Sequence, residues 1–105
     1  MIQSIEIIIQ SGLHVTTNAL ILYAKKIAYI NDKKYLITDS FIDALEKTIY
    51  LWKEEYGSSN VIDCEEFLIT ITTDQGKETI HGKGIYPHNY GELKELLSDI
   101  NDEGI

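Results

Sequence analysis

Asp63-Cys64-Glu65-Glu66 is the densest group of reactive side chains in the chain, three carboxylates and a thiol in a row. Paired carboxylates can exchange protons as acid and base, or hold a hard divalent cation. In an extended segment Asp63 and Glu65 share one face, and Cys64 and Glu66 the other. One candidate chemistry is therefore a small metal-dependent hydrolase or nuclease using Asp63, Glu65 and Glu66. The simpler reading is a solvated strand start beside an inert, buried Cys64 thiol, and it is preferred.

The remaining candidates are poorer. His14, His81 and His88 lie far apart, with no acid or cysteine at ligand spacing. A zinc site needs three or four converging ligands, so no metal is expected. Gly82-Lys83-Gly84 resembles part of a phosphate loop, but such loops join a strand to a helix start. Here the glycines fall inside a strand pattern, where packing explains them better. Ser40 and Thr70-Thr72-Thr73 have no base at a motif spacing and no nucleophile elbow. The expectation is a protein with no catalytic residue and no cofactor.

Composition points to the alternative. The 105 residues carry seventeen acids and nine lysines with no arginine, a net charge of −8. Arginine is the preferred reader of phosphate and guanine, and a negative field repels nucleic acid and anionic membranes. The expected partner is another protein with a basic surface, although acidity also serves solubility alone. Seven tyrosines suit a contact surface or, equally, the rim of a core. A single cysteine excludes an internal disulfide, and the N-terminus is a poor signal peptide, so a cytoplasmic location is expected.

The elements that must position these residues read as one α+β domain over residues 1–105. Its sheet should be antiparallel, of about four to five strands, with two helices packed on one face. Ile2 to Gln10 alternates as a strand. His14 to Ile30 reads as strand in preference to helix, and Asn31-Asp32 turns the chain into Tyr35-Leu36-Ile37. Asp39-Ser40 opens a helix whose stripe (Phe41, Ala44, Leu45, Thr48, Ile49, Trp52, Tyr56) ends at a Gly57 cap. Glu66 to Thr73 and Lys77 to Tyr86 form a hairpin about Asp74-Gln75-Gly76. Asn89 reads as the N-cap of a helix with Glu92 in a capping box, and Leu93, Leu96, Leu97 and Ile100 form its stripe. Gly82 and Gly84 leave a trough for Trp52. The expected core is Phe41, Leu45, Ile49, Trp52, Phe67, Ile69, Ile71, Ile80, Leu93, Leu96 and Ile100.

Trp52, Ile62, Asp63, Gly82, Gly84, Tyr86, Pro87, Asn89 and Tyr90 together resemble a pattern in small bacterial proteins of unassigned function. Those pair a helix-end tryptophan with an Ile-Asp step, a Gly-x-Gly-x-Tyr-Pro-x-Asn-Tyr segment and a leucine helix. Their glycine after the aspartate is Cys64 here. The resemblance covers about half the chain and implies a fold without an activity. In size, acidity and lack of motif the chain is also similar to phage anti-CRISPR and toxin-immunity proteins. The expected function is a non-catalytic module that inhibits a partner by occupying its basic surface. The expected contact residues are Glu54, Glu55, Asp63, Glu65, Glu66, Tyr50 and Tyr56, gathered around the Gly57 loop. A structural subunit of a larger assembly is a further class.

Overall fold

A computed structural model describes residues 1–58 and 64–103. Among them the chain forms β1 (Ile2–Ser11), β2 (His14–Leu22), β3 (Ile27–Ile30), β4 (Lys33–Leu36), α1 (Asp39–Ile49), β5 (Glu55–Ser58), β6 (Glu65–Thr73), β7 (Gly76–Lys83) and α2 (Tyr90–Glu103). The architecture is α+β, as expected, but the sheet has seven strands in the order β4-β3-β2-β1-β6-β7-β5. It is mixed, because β5 runs parallel to β7. The expectation of four to five antiparallel strands is corrected on both points.

The centre of the sheet is β1, paired antiparallel with β2 on one side and β6 on the other. Its alternating isoleucines decide which face is buried. Ile5 stands beside Ile21 and Ile71, Ile7 beside Ala19 and Ile69, and Ile9 beside Thr17 and Phe67. Because side chains alternate along a strand, these rows share one face. Leu45 and Ile49 of α1 and Leu93, Leu97 and Ile100 of α2 join them in a single core. β-Branched side chains fit such a pleated, covered surface. The core is therefore wider than the expected set, which omitted Ile5, Ile7, Ile9, Ile21 and Ile30. Phe41, Trp52, Ile71 and Leu96 pack against it half-buried.

The short hairpin β3–β4 turns at Asn31-Asp32, both with positive φ (50° and 70°), the signature of the hairpin turn whose twist matches its strands. The Asn31 Oδ1 accepts from the Asn18 N–H at 2.9 Å, tying the turn to β2. Thr38 rather than Asp39 or Ser40 caps α1, its hydroxyl accepting from the Phe41 N–H at 3.2 Å.

The first helix stops earlier than its stripe predicts, at Ile49. Extended to Tyr56, it would place Glu54 and Glu55 against the negative end of the helix dipole. The chain instead crosses to the far edge of the sheet and adds β5 there. Gly57 keeps a positive φ of 106°, but it lies within β5, where the register with β7 shifts, and caps no helix. The second hairpin strand ends at Lys83, short of Tyr86, and α2 continues through Glu103.

Candidate functional site

The anticipated contact residues divide among three places. Glu55 opens β5, Glu54 immediately precedes it, and both are exposed. Pairing with β7 sets Glu55 opposite His81, and pairing with β6 sets Leu68 opposite His81, with Glu66 opposite Lys83. The His81 ring therefore lies between two carboxylates, with Nδ1 at 2.7 Å from Glu55 Oε1 and Nε2 at 2.6 Å from Glu66 Oε2. These two hydrogen bonds, the one to Glu66 foremost, raise the His81 pKa above the ordinary imidazole value. The charged ring donates to both acids and closes a clamp across β5, β7 and β6. Spacing in the sequence showed no acidic partner for any histidine; this one is made by strand pairing.

Glu65, one residue earlier on β6, projects to the opposite face. Its Oε2 accepts from the Tyr90 hydroxyl at 2.6 Å, and Lys94 Nζ lies 3.1 Å from Oε1. Burial, then the hydrogen bond to Glu65, pushes the Tyr90 pKa well up, so that hydroxyl stays a proton donor. Glu65 and Glu66 thus face apart, each already engaged within the chain, and do not converge on one cation. Asp63, with Ile62, lies outside the described residues. Among the described residues no group of three or more His, Cys, Asp or Glu side chains is arranged to hold a metal.

Tyr56 is half-buried and structural, its hydroxyl accepting from the Lys53 N–H at 2.9 Å and its ring 6.2 Å from that of Phe67. Phe67 is the hub of an aromatic cluster with Trp52, Tyr86 and Tyr90. It also fills the trough assigned to Trp52: a Cβ on Gly82 would meet Phe67 Cε1 at 2.5 Å. Trp52 instead packs edge-on against Phe67. Its indole N–H donates to Asn89 Oδ1 at 2.7 Å, while Asn89 Nδ2 donates to the Thr48 carbonyl at 2.8 Å. Asn89 therefore spends its side chain bridging α1 to the α2 start, and the expected capping role is corrected. The patterned residues Trp52, Gly82, Tyr86, Asn89 and Tyr90 form one packing unit. Most of the tyrosines serve the interior or its rim; Tyr50 (80% exposed) and Tyr29 (40%) are the exposed ones.

Charge is distributed unevenly over the two faces. The uncovered sheet face carries Lys34, Lys77 and Lys83 against Glu6, Glu55 and Glu66, a balanced set. On the helix layer, α1 contributes Asp39, Asp43 and Glu46 against Lys47, and α2 contributes Glu92, Glu95 and Asp99 against Lys94. Since α1 ends at Ile49, the sheet beyond it lacks a helix cover. A cleft of about 400 Å³ opens there, floored by Ile2, Ile49, Ile71 and Ile80 and edged by Glu46, Tyr50, Glu54 and Glu78. Of the anticipated contact residues, Tyr50 and Glu54 are brought together here. Glu46 and Glu78 were not anticipated; Glu78 stands opposite Ile71 on β6, a place only the pairing register reveals. No described helix is long and apolar enough to cross a membrane. No protein-family profile matches the chain, and no curated protein or solved structure does either.

Proposed function

We propose that the chain is a non-catalytic, acidic protein-binding module that acts by occupying a basic surface of a partner protein, as inhibitors and immunity-type proteins do. The observation that carries this reading is the segregation of charge. The helix layer concentrates carboxylates, while the opposite sheet face is balanced. A one-sided field of this kind orients an approaching cationic surface and raises its association rate. The reactive residues also favour it, because Glu65, Glu66 and His81 are engaged with one another or with neighbours in the chain.

The test is affinity capture from the native host at about 50 mM and about 500 mM salt, which shortens the screening length from roughly 14 to roughly 4 Å. A variant neutralised on the helices (Asp43→Asn, Glu92→Gln, Glu95→Gln, Asp99→Asn) is run beside it. The expected result is a protein partner with a basic surface whose recovery falls with salt and falls again with the variant. Recovery unchanged in both comparisons would refute the electrostatic reading. A bound small molecule with no macromolecular partner would refute the binding-module reading itself.

A further inference from the structure

Resting on that reading, we infer that the cleft beyond α1 is the receptor for a single lysine or arginine side chain projecting from the partner. The cleft joins an apolar floor to an acidic edge. Ile49 and Ile80 are buried, and Ile2 and Ile71 half-buried. Lysine and arginine have the same two-part character, an aliphatic stem under a cationic head. A purely apolar side chain would satisfy the floor and strand the carboxylates beside a dry surface. A small inorganic cation would satisfy the edge and leave the floor wet.

Among the described residues, Glu46, Glu54 and Glu78 are the carboxylates lining the cleft, no lysine lines it, and none of the three acids has an ion-pair partner. Glu46 is oriented by the Tyr23 hydroxyl, which donates to its Oε2 at 2.7 Å. That contact, together with burial, pushes the Tyr23 pKa far up, so the hydroxyl stays a donor and Glu46 stays the acceptor. Lys77 lies in a neighbouring depression shared with Glu54, Glu55 and Glu78, and Lys47 lies beside Glu46 and Tyr50. Neither lysine makes an ion pair with these acids among the described residues. Three carboxylates lining one apolar cleft make it attractive to an entering cation. Tyr50, 80% exposed, offers a ring face at the mouth for a cation–π contact.

The experiment is a titration of the isotope-labelled full chain, followed by amide shifts and by the Trp52 indole signal. The probes are a short lysine- and arginine-rich peptide, the same peptide with its lysines acetylated and its arginines replaced by citrulline, and the free polyamine spermidine. The expected result is that the cationic peptide perturbs Ile71, Ile80 and Trp52, and the neutralised peptide does not. Glu54→Gln/Glu78→Gln removes two of the three carboxylates of the edge and should weaken the peptide about tenfold. Glu92→Gln/Glu95→Gln on α2 removes the same charge away from the cleft and should weaken it less than about threefold. Equal weakening by the two pairs would overturn the receptor assignment while leaving the acidic-module reading standing. Tighter binding of spermidine than of the peptide would also overturn it. Absence of any binding to the cationic peptide at low salt would overturn both.

Discussion

Adding one methyl group at Gly82 should destabilise the chain by about 3 kcal/mol. Gly82 lies in β7 without a positive φ, so its backbone suits any residue and the effect is one of space. An added Cβ would sit 2.5 Å from Phe67 Cε1, 2.8 Å from Cζ and 2.9 Å from the Ile85 carbonyl oxygen. Carbon contacts are comfortable at roughly 3.5–4.0 Å, so about 1 Å of movement is needed. Phe67 is 0% exposed, and its ring is hemmed by Trp52 at 5.8 Å, Tyr56 at 6.2 Å, Tyr86 at 6.2 Å and Tyr90 at 5.0 Å. The carbonyl is backbone and yields no more easily. Overpacking of a core costs about 1–3 kcal/mol, and a site closed on both sides belongs at the upper end. At about 4–8 °C per kcal/mol for a domain of this size, Tm should fall by about 15 °C. Urea unfolding followed by Trp52 fluorescence measures this directly. Gly91→Ala is the control: apart from its chain neighbours and its own helix backbone, no atom lies within 4 Å of its added Cβ, and the helix should gain about 0.5 kcal/mol. In a Phe67→Leu background Gly82→Ala should cost about 1 kcal/mol, a coupling of about 2 kcal/mol. A Gly82→Ala midpoint equal to that of the wild type, or an undiminished effect in the Phe67→Leu background, would refute the placement of Phe67 over Gly82.

Three further outcomes follow from the same contacts. The raised His81 pKa means that the folded chain holds this proton more tightly than the unfolded one. The clamp's contribution is therefore complete below about pH 6.5 and is lost as pH rises through the folded-state value. Urea midpoints should fall across that window, and His81→Gln should remove this slope; identical slopes for both proteins would contradict the clamp. Asn89→Ala strands the Trp52 indole N–H and the Thr48 carbonyl, for a loss of about 1–3 kcal/mol and a change in tryptophan emission. Thr38→Ala removes the α1 cap and should cost about 1 kcal/mol by chemical denaturation, with no change in emission.

Local pattern determined the type of most elements. Alternation of Ile5, Ile7 and Ile9 marks a strand whatever its neighbours, because side chains alternate along any extended chain. Positive-φ residues at Asn31-Asp32 and Gly76 mark hairpins for reasons internal to the turn. The leucine and isoleucine stripe of α2 likewise needs only the helical period. Metal-ligand and phosphate-loop motifs depend on local spacing in the same way.

What lay beyond local pattern was decided by pairing across the sheet. Alternation in β1 says nothing of its central position, which depends on partners more than fifty residues away in β6. The stripe through Trp52 and Tyr56 fits a helix, yet the free edge of β7 and the aromatic cluster on Phe67 claimed those residues. Propensity is a weak prior, and tertiary contacts of that size override it. His81 gained two carboxylates only because β5 and β6 flank β7. Glu65 and Glu66 face apart as alternation alone predicts, but only the tertiary structure gives them their partners, Tyr90 of α2 and His81 of β7. The cleft is the furthest from the sequence. Glu46, Glu54 and Glu78 come from a helix, the residue before an edge strand and a hairpin, and no spacing along the chain relates them. Only the early end of α1 at Ile49, and the uncovered sheet beyond it, bring those three charges around one apolar floor.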